Sequence, residues 1–146
     1  MSDAFRLQRF VDAQDPLYAN VVAELRAGHK RSHWMWFVFP QIAGLGHSAT
    51  AQYFAIASRA EAAAYLDHPL LGARLRECTQ LVIAVCNRHL EQIFGYPDDR
   101  KFHSSITLFA ITAEAERRAE DAALFRAALD KYCAGELDAA TVRLLG

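Results

Sequence analysis

The sequence is short of nearly everything that marks an exported, membrane-bound or nucleic-acid-coating protein. Its 146 residues hold three cysteines, Cys78, Cys86 and Cys133. This odd set has no C-x-x-C pair, so neither a disulfide framework nor a zinc ribbon fits, and free thiols in a reducing, cytoplasmic compartment are expected. "MSDAFRLQRF" has no apolar run of the kind a secretory leader carries, and no stretch approaches the roughly 20 apolar residues of a membrane span. No charge sign dominates: 16 Lys and Arg against 17 Asp and Glu give a net charge of -1. That balance removes the long-range steering a bulk nucleic-acid binder needs. Repeats, low-complexity tracts and linkers are missing. A single domain over 1–146 is expected, since this length sits in the commonest domain range of about 100–150 residues.

Proline and glycine are also sparse, four and seven respectively, and the apolar spacing between them is mostly helical. "FRLQRFVDAQ" puts Leu7, Phe10 and Val11 on one face. In "DPLYANVVAELRAG", Asp15 is the expected cap, Leu17, Val21 and Leu25 form the stripe, and Gly28 is the stop. Ser48 opens "SATAQYFAIAS", and Ser58 with Glu61 forms a capping-box pattern for a short helix ending near Leu66. A longer helix starts at Pro69 with a stripe of Leu71, Leu75, Cys78, Val82 and Val85. "LEQIFG" reads as a last helical turn stopped by Gly95. From Glu114, "EAERRAEDAALFRAALDKYCAG" predicts an amphipathic helix with Leu124, Phe125, Ala128, Leu129 and Tyr132 inward, and Asp138 caps a short final helix. Two stretches, "WMWFVF" and "ITLFAIT", fit strand or helix equally. The fold class is therefore mainly α: about seven helices in one compact domain, with at most a short strand pair.

Chemistry concentrates in two places. The first is "HKRSHWMWFVFPQ", His29 to Gln41, where the densest basic cluster abuts the densest aromatic cluster. Lys30 and Arg31 suit phosphate contact, His33 adds a further donor, and Trp34 and Trp36 offer flat faces worth about 1–3 kcal/mol per stacked base. Cations beside stacking rings fit a nucleotide. The plain alternative is a basic loop after a helix C-terminus, favoured by the helix dipole, with both indoles in the core. His29 and His33 have zinc-like i,i+4 spacing, but Gly28 breaks the helix before them and no third ligand lies nearby; no metal is expected. "AGLGHS" contains G-x-G without a third glycine, so no dinucleotide fingerprint is present. Gly44 and Gly46 still allow close backbone approach, and His47 follows. No cofactor signature appears.

The second is "YPDDRKFHSSIT". Lys101, Ser104, Ser105 and Thr107 could cradle a phosphate while Asp98 or Asp99 orients water. The alternative is turn chemistry, with hydroxyls tied to backbone N–H groups. No G-x-S-x-G elbow flanks the serines. A further reading makes the whole chain a non-catalytic interaction module, with Trp, Tyr and Arg as binding hot spots.

Taken together, "FVDAQ", "GHKRSHWMWFVFPQIAGLGHS", "YLDHPLLGARL", "IFGYPDDRKFHSSITLF" and the final D-x-x-T-x-x-L-L helix resemble the bacterial family catalogued as domain of unknown function 1810. That resemblance implies a compact, largely helical domain and no particular activity. "EQIFG" is more remotely similar to the D-x-x-W-G-like motif of NADAR-type N-glycosidases, with Glu91 at the acid position and Phe94 at the aromatic one. The segment comparable to their catalytic helix has Gln52 and Tyr53 and no acid. The likeness implies nucleotide or ADP-ribose recognition and hydrolysis of an N-glycosidic bond. Such chemistry requires a carboxylate beside the sugar cation. The expected site is then Lys30, Arg31, His33, Trp34, Trp36, Gln41, His47, Lys101, Ser104, Ser105 and Thr107 around the ligand, with Asp98, Asp99 or Glu91 as the working acid.

Overall fold

The computed structural model describes residues 3–146; the first two positions of the N-terminal stretch read against a leader lie outside it. Ten helices form among the described residues: α1 (Gln8–Gln14), α2 (Tyr18–Arg26), α3 (Met35–Val38), α4 (Ala49–Tyr53), α5 (Arg59–Asp67), α6 (Leu71–Ala84), α7 (Leu90–Phe94), α8 (Asp98–Ala115), α9 (Ala119–Cys133) and α10 (Ala139–Leu145). The count exceeds the expected seven because α3 and α8 arise from the two stretches left as strand or helix, and α7, read only as a last turn, is a separate short helix. Both ambiguous stretches are helical: "WMWFVF" contains α3, and "ITLFAIT" lies inside α8. The expected strand pair reduces to one parallel bridge, Ile42 to Ile56, among the described residues.

Local side-chain chemistry accounts for several helix ends. Ser48, Ser58 and Asp138 each accept a backbone N–H three residues on, from Ala51, Glu61 and Thr141, as N-caps do. Asp15 is a correction. Leu17 holds the cap position of α2 without a side-chain bond, and Asp15 pairs with Arg74 at 2.9 Å. The last predicted long helix also begins later. Residues Glu114 and Ala115 end α8, Arg117 turns with φ 57, and α9 starts at Ala119.

The spine is α8, buried at Phe102, Ile106, Leu108, Phe109 and Ala113. It packs against α9, α5, α7 and α10, while α6 lies against α9, α5 and α2. One continuous apolar cluster runs through all of them. At one end Phe39, Phe94 and Phe102 join α3, α7 and α8, with ring centroids 5.0 to 5.9 Å apart. Such pairs contribute beyond their buried area, and this trio ties together the three helices nearest the candidate site in the chain.

A buried ion pair ties the N-terminal helix to the rest. Arg9 and Glu61, with side chains 6% and 4% exposed, meet at 2.9 Å. Arg9 also donates to the carbonyls of Phe5, Arg6, Tyr53 and Ala55. Glu61 therefore does not close the reciprocal capping box its spacing suggests; its second oxygen accepts from Ala57 N–H at 2.9 Å. Removing one partner strands a buried charge, whereas removing both does not. Glu61→Ala is expected to lower stability by about 3–5 kcal/mol in urea unfolding. The double variant Arg9→Met, Glu61→Leu should lose less than that single change.

Candidate functional site

The site begins with how α2 stops. Gly28 takes φ 70, a conformation open to glycine at little cost. Its N–H bonds Leu25 O at 3.0 Å while His29 N–H reaches back to Glu24 O at 3.0 Å, the paired bonds of a Schellman ending. The chain is thereby reversed over the last turn of α2, and Lys30 N–H docks on Ile93 O of α7 at 2.7 Å.

Glu24 then gathers the loop. Its carboxylate accepts the N–H groups of Arg31 (2.7 Å) and Ser32 (3.0 Å), the Ser32 hydroxyl (2.6 Å) and the Trp34 indole N–H (3.0 Å). Burial alone would push this carboxyl up, but the hydrogen bonds from Ser32, Arg31 and Trp34 outweigh it and hold the group down at about 2. Sequence reasoning missed Glu24. The available signal was an acid in the last turn of a helix, where the dipole disfavours it unless another partner compensates.

The loop so fixed faces the start of α8 across a cleft of about 280 Å³. Lys30, Arg31, Ser32, His33, Met35 and Trp36 line one side; Tyr96, Pro97 and Asp98 line the other. The Tyr96–Pro97 peptide is cis. Lys30, only 6% exposed, meets an Asp98 oxygen at 2.7 Å and donates to Ser32 O at 2.5 Å. Lys101 meets the other Asp98 oxygen at 3.4 Å and lies over the Trp36 ring at 5.1 Å, within cation–π range. Arg100 covers the exposed Tyr96 ring at 5.1 Å. The two segments singled out in the sequence are thus neighbours, joined through Asp98.

Not every expected residue comes along. Trp34 is fully buried, sealed beneath Lys30 with its N–H spent on Glu24, so it offers no face to a ligand. Trp36 is half-buried and lines the cleft. Gln41 faces a separate hollow of about 10 Å³, room for about one water, and its carbonyl accepts Ile56 N–H at 2.8 Å. His47 is exposed on the loop before α4.

The hydroxyls of α8 point elsewhere too. Ser104 bonds Arg100 O at 3.1 Å and Asp138 at 3.2 Å, and Thr107 accepts Asp138 N–H at 3.0 Å. Ser105 is fully buried. Ser104 and Thr107 hold Asp138 at the start of α10, the Ser105 hydroxyl has no hydrogen-bond partner among the described residues, and the three do not form a phosphate cradle. Glu91 and Asp99 line a different, open depression with Arg100 and His103, so of the three expected acids Asp98 is the one lining the cleft. The aromatic run "WMWFVF" is buried apart from Trp36, which leaves Trp36 as the one ring of that run open to a partner in the interaction-module reading. Among the described residues no group of three or more His, Cys, Asp or Glu is arranged to hold a metal ion, and no helix is long and apolar enough to cross a membrane.

Because Glu24 is depressed in the folded state, its contribution is complete above its unfolded value near 4.5 and fades toward about 2, the range in which the folded protein must take up a proton. Glu24→Gln is expected to unfold at lower urea than the parent at pH 7. The gap between the two should narrow as pH falls through that window; a gap independent of pH would contradict the assignment.

Comparison with known proteins follows the same lines. The family model described as "Protein of unknown function (DUF1810)" matches residues 4–145. The crystal structure of the conserved hypothetical protein Rv1873 from Mycobacterium tuberculosis is similar with a TM-score of 0.91 and 55% identity, covering 98% of each chain. None of the curated proteins matches. Neither similarity extends to NADAR-type glycosidases, and Glu91, the residue that carried that likeness, lies off the cleft. With agreement over nearly its whole length in sequence and in fold, the chain belongs to the DUF1810 family.

Proposed function

We propose that the protein binds a small anionic molecule carrying a planar ring, of the nucleotide or ADP-ribose class, in the cleft between Lys30 and Trp36 on one side and Tyr96 and Asp98 on the other. The observation that carries this reading is the convergence of Lys30 and Lys101 on Asp98, with Trp36 beneath Lys101. Positive groups that suit a phosphoryl group adjoin flat rings that suit a base. Arg31 and His33, exposed at the rim, extend the positive lining outward. The cleft's volume of about 280 Å³ is close to the lower end of the 300–1,000 Å³ common for small-molecule sites, so a mononucleotide fits it better than an extended dinucleotide.

Recognition is favoured over hydrolysis. Glu91 and Asp99 lie off the cleft, and both oxygens of Asp98 are engaged by lysines. No other acid lines the cleft among the described residues to face the sugar cation that N-glycosidic cleavage requires. The setting we propose is cytoplasmic, consistent with three unpaired cysteines in a reducing compartment.

Thermal unfolding with AMP, ADP-ribose and NAD tests this. A true ligand at a hundredfold excess over its dissociation constant should stabilise the protein by about 2.7 kcal/mol. Trp36→Ala and Lys101→Ala should each abolish the shift while leaving the circular dichroism spectrum intact. A parent protein unmoved by all three ligands would exclude the nucleotide reading.

A further inference from the structure

Lys30 is an unusual lysine. Its side chain is 6% exposed, and long cationic side chains are seldom this deep without a partner. Two of its three N–H donors go to Ser32 O and Asp98, and the Trp34 ring lies 5.1 Å away. Asp98 is the more exposed member, at 20%, and bridges to Lys101, which stands at 3.4 Å and is itself 25% exposed. One carboxylate lining the cleft therefore holds two ammonium groups, of which Lys30 also lines it. The deeper contact is short and the outer one is long.

Resting on the ligand reading above, we propose that Asp98 is a resident stand-in for the ligand's oxyanion: a phosphoryl group binds Lys30 and Lys101 by displacing the Asp98 carboxylate, so that Asp98 sets both the affinity and the choice of anion. A carboxylate and a phosphoryl group present oxygen acceptors to ammonium donors in the same way, and the phosphoryl group brings more charge. Exchange keeps the buried lysine paired at every stage, which avoids the cost of an isolated buried charge. A neutral ligand or a monoanionic carboxylate gains too little to displace Asp98, and the cleft is thereby selective for phosphoryl groups. The bland account, that Asp98 is only a favourable acid in the first turn of α8, explains its attraction to a helix N-terminus. It and the ordinary i,i+3 spacing account for Lys101, but they do not explain the shorter contact to the buried Lys30, which comes from a distant part of the chain.

The test is titration of inorganic phosphate into the parent and into Asp98→Asn, with sodium chloride at matched ionic strength as the control. Losing the competing carboxylate should tighten phosphate binding on the order of tenfold. It should also make the melting temperature of Asp98→Asn rise with phosphate more steeply than that of the parent. Lys101→Met placed on Asp98→Asn should cancel the gain. Weaker phosphate binding by a folded Asp98→Asn would overturn the displacement while leaving the ligand site standing; absence of binding to both proteins would overturn the site itself. Should Asp98→Asn not fold even in phosphate, crystals of the parent grown with phosphate decide. Phosphate on both lysines with Asp98 swung away supports the exchange, and phosphate bound with Asp98 still bridging overturns it.

Discussion

The ion pair between Lys30 and Asp98 is the joint on which the candidate site depends. It links a loop that follows α2 to the first residue of α8, two segments with no local reason to meet. A lysine this buried would be costly without an anionic partner, so in the ligand-free protein the pair holds the two walls of the cleft together. Everything functional in the proposal is measured from it: Lys101 from the other oxygen, Trp36 from Lys101, and Tyr96 from the turn that delivers Asp98.

The joint rests on a hierarchy of simpler constraints. Gly28 reverses the chain, Glu24 collects four donors from the next few residues, and the Phe39, Phe94 and Phe102 rings pack α3, α7 and α8 together. Glu24 is notable because it uses up the backbone N–H groups of Arg31 and Ser32. Those groups are consequently structural, and an anion bound in the cleft as proposed would be held through side chains. This marks a difference from glycine-rich phosphate loops, in which backbone N–H groups do the binding.

Features that depend on near neighbours were legible in the sequence. Ser48, Ser58 and Asp138 cap helices as their positions imply, and Gly28 and Gly95 stop them, because cap chemistry acts within three or four residues. The closeness of the two polar segments was also anticipated. What could not be read were choices made by tertiary packing. Trp34 and Trp36 are two apart on a single helical turn, so one had to face the core; only the Glu24 carboxylate decides that it is Trp34. Likewise, Ser104 and Thr107 look like a ligand cradle until α10 folds back and Asp138 takes them. Their hydroxyls obey turn-like and cap-like rules, but with a partner from another helix.

The two tryptophans provide the most direct check, since one is sealed and the other borders the cleft. Their indole N–H signals in a nitrogen-15 NMR titration with ADP-ribose form an internally controlled pair. Binding in the cleft predicts a progressive, saturable shift of the Trp36 signal, with the Glu24-bonded Trp34 signal nearly still. Two stationary signals at saturating ligand, or movement of Trp34 alone, would contradict it.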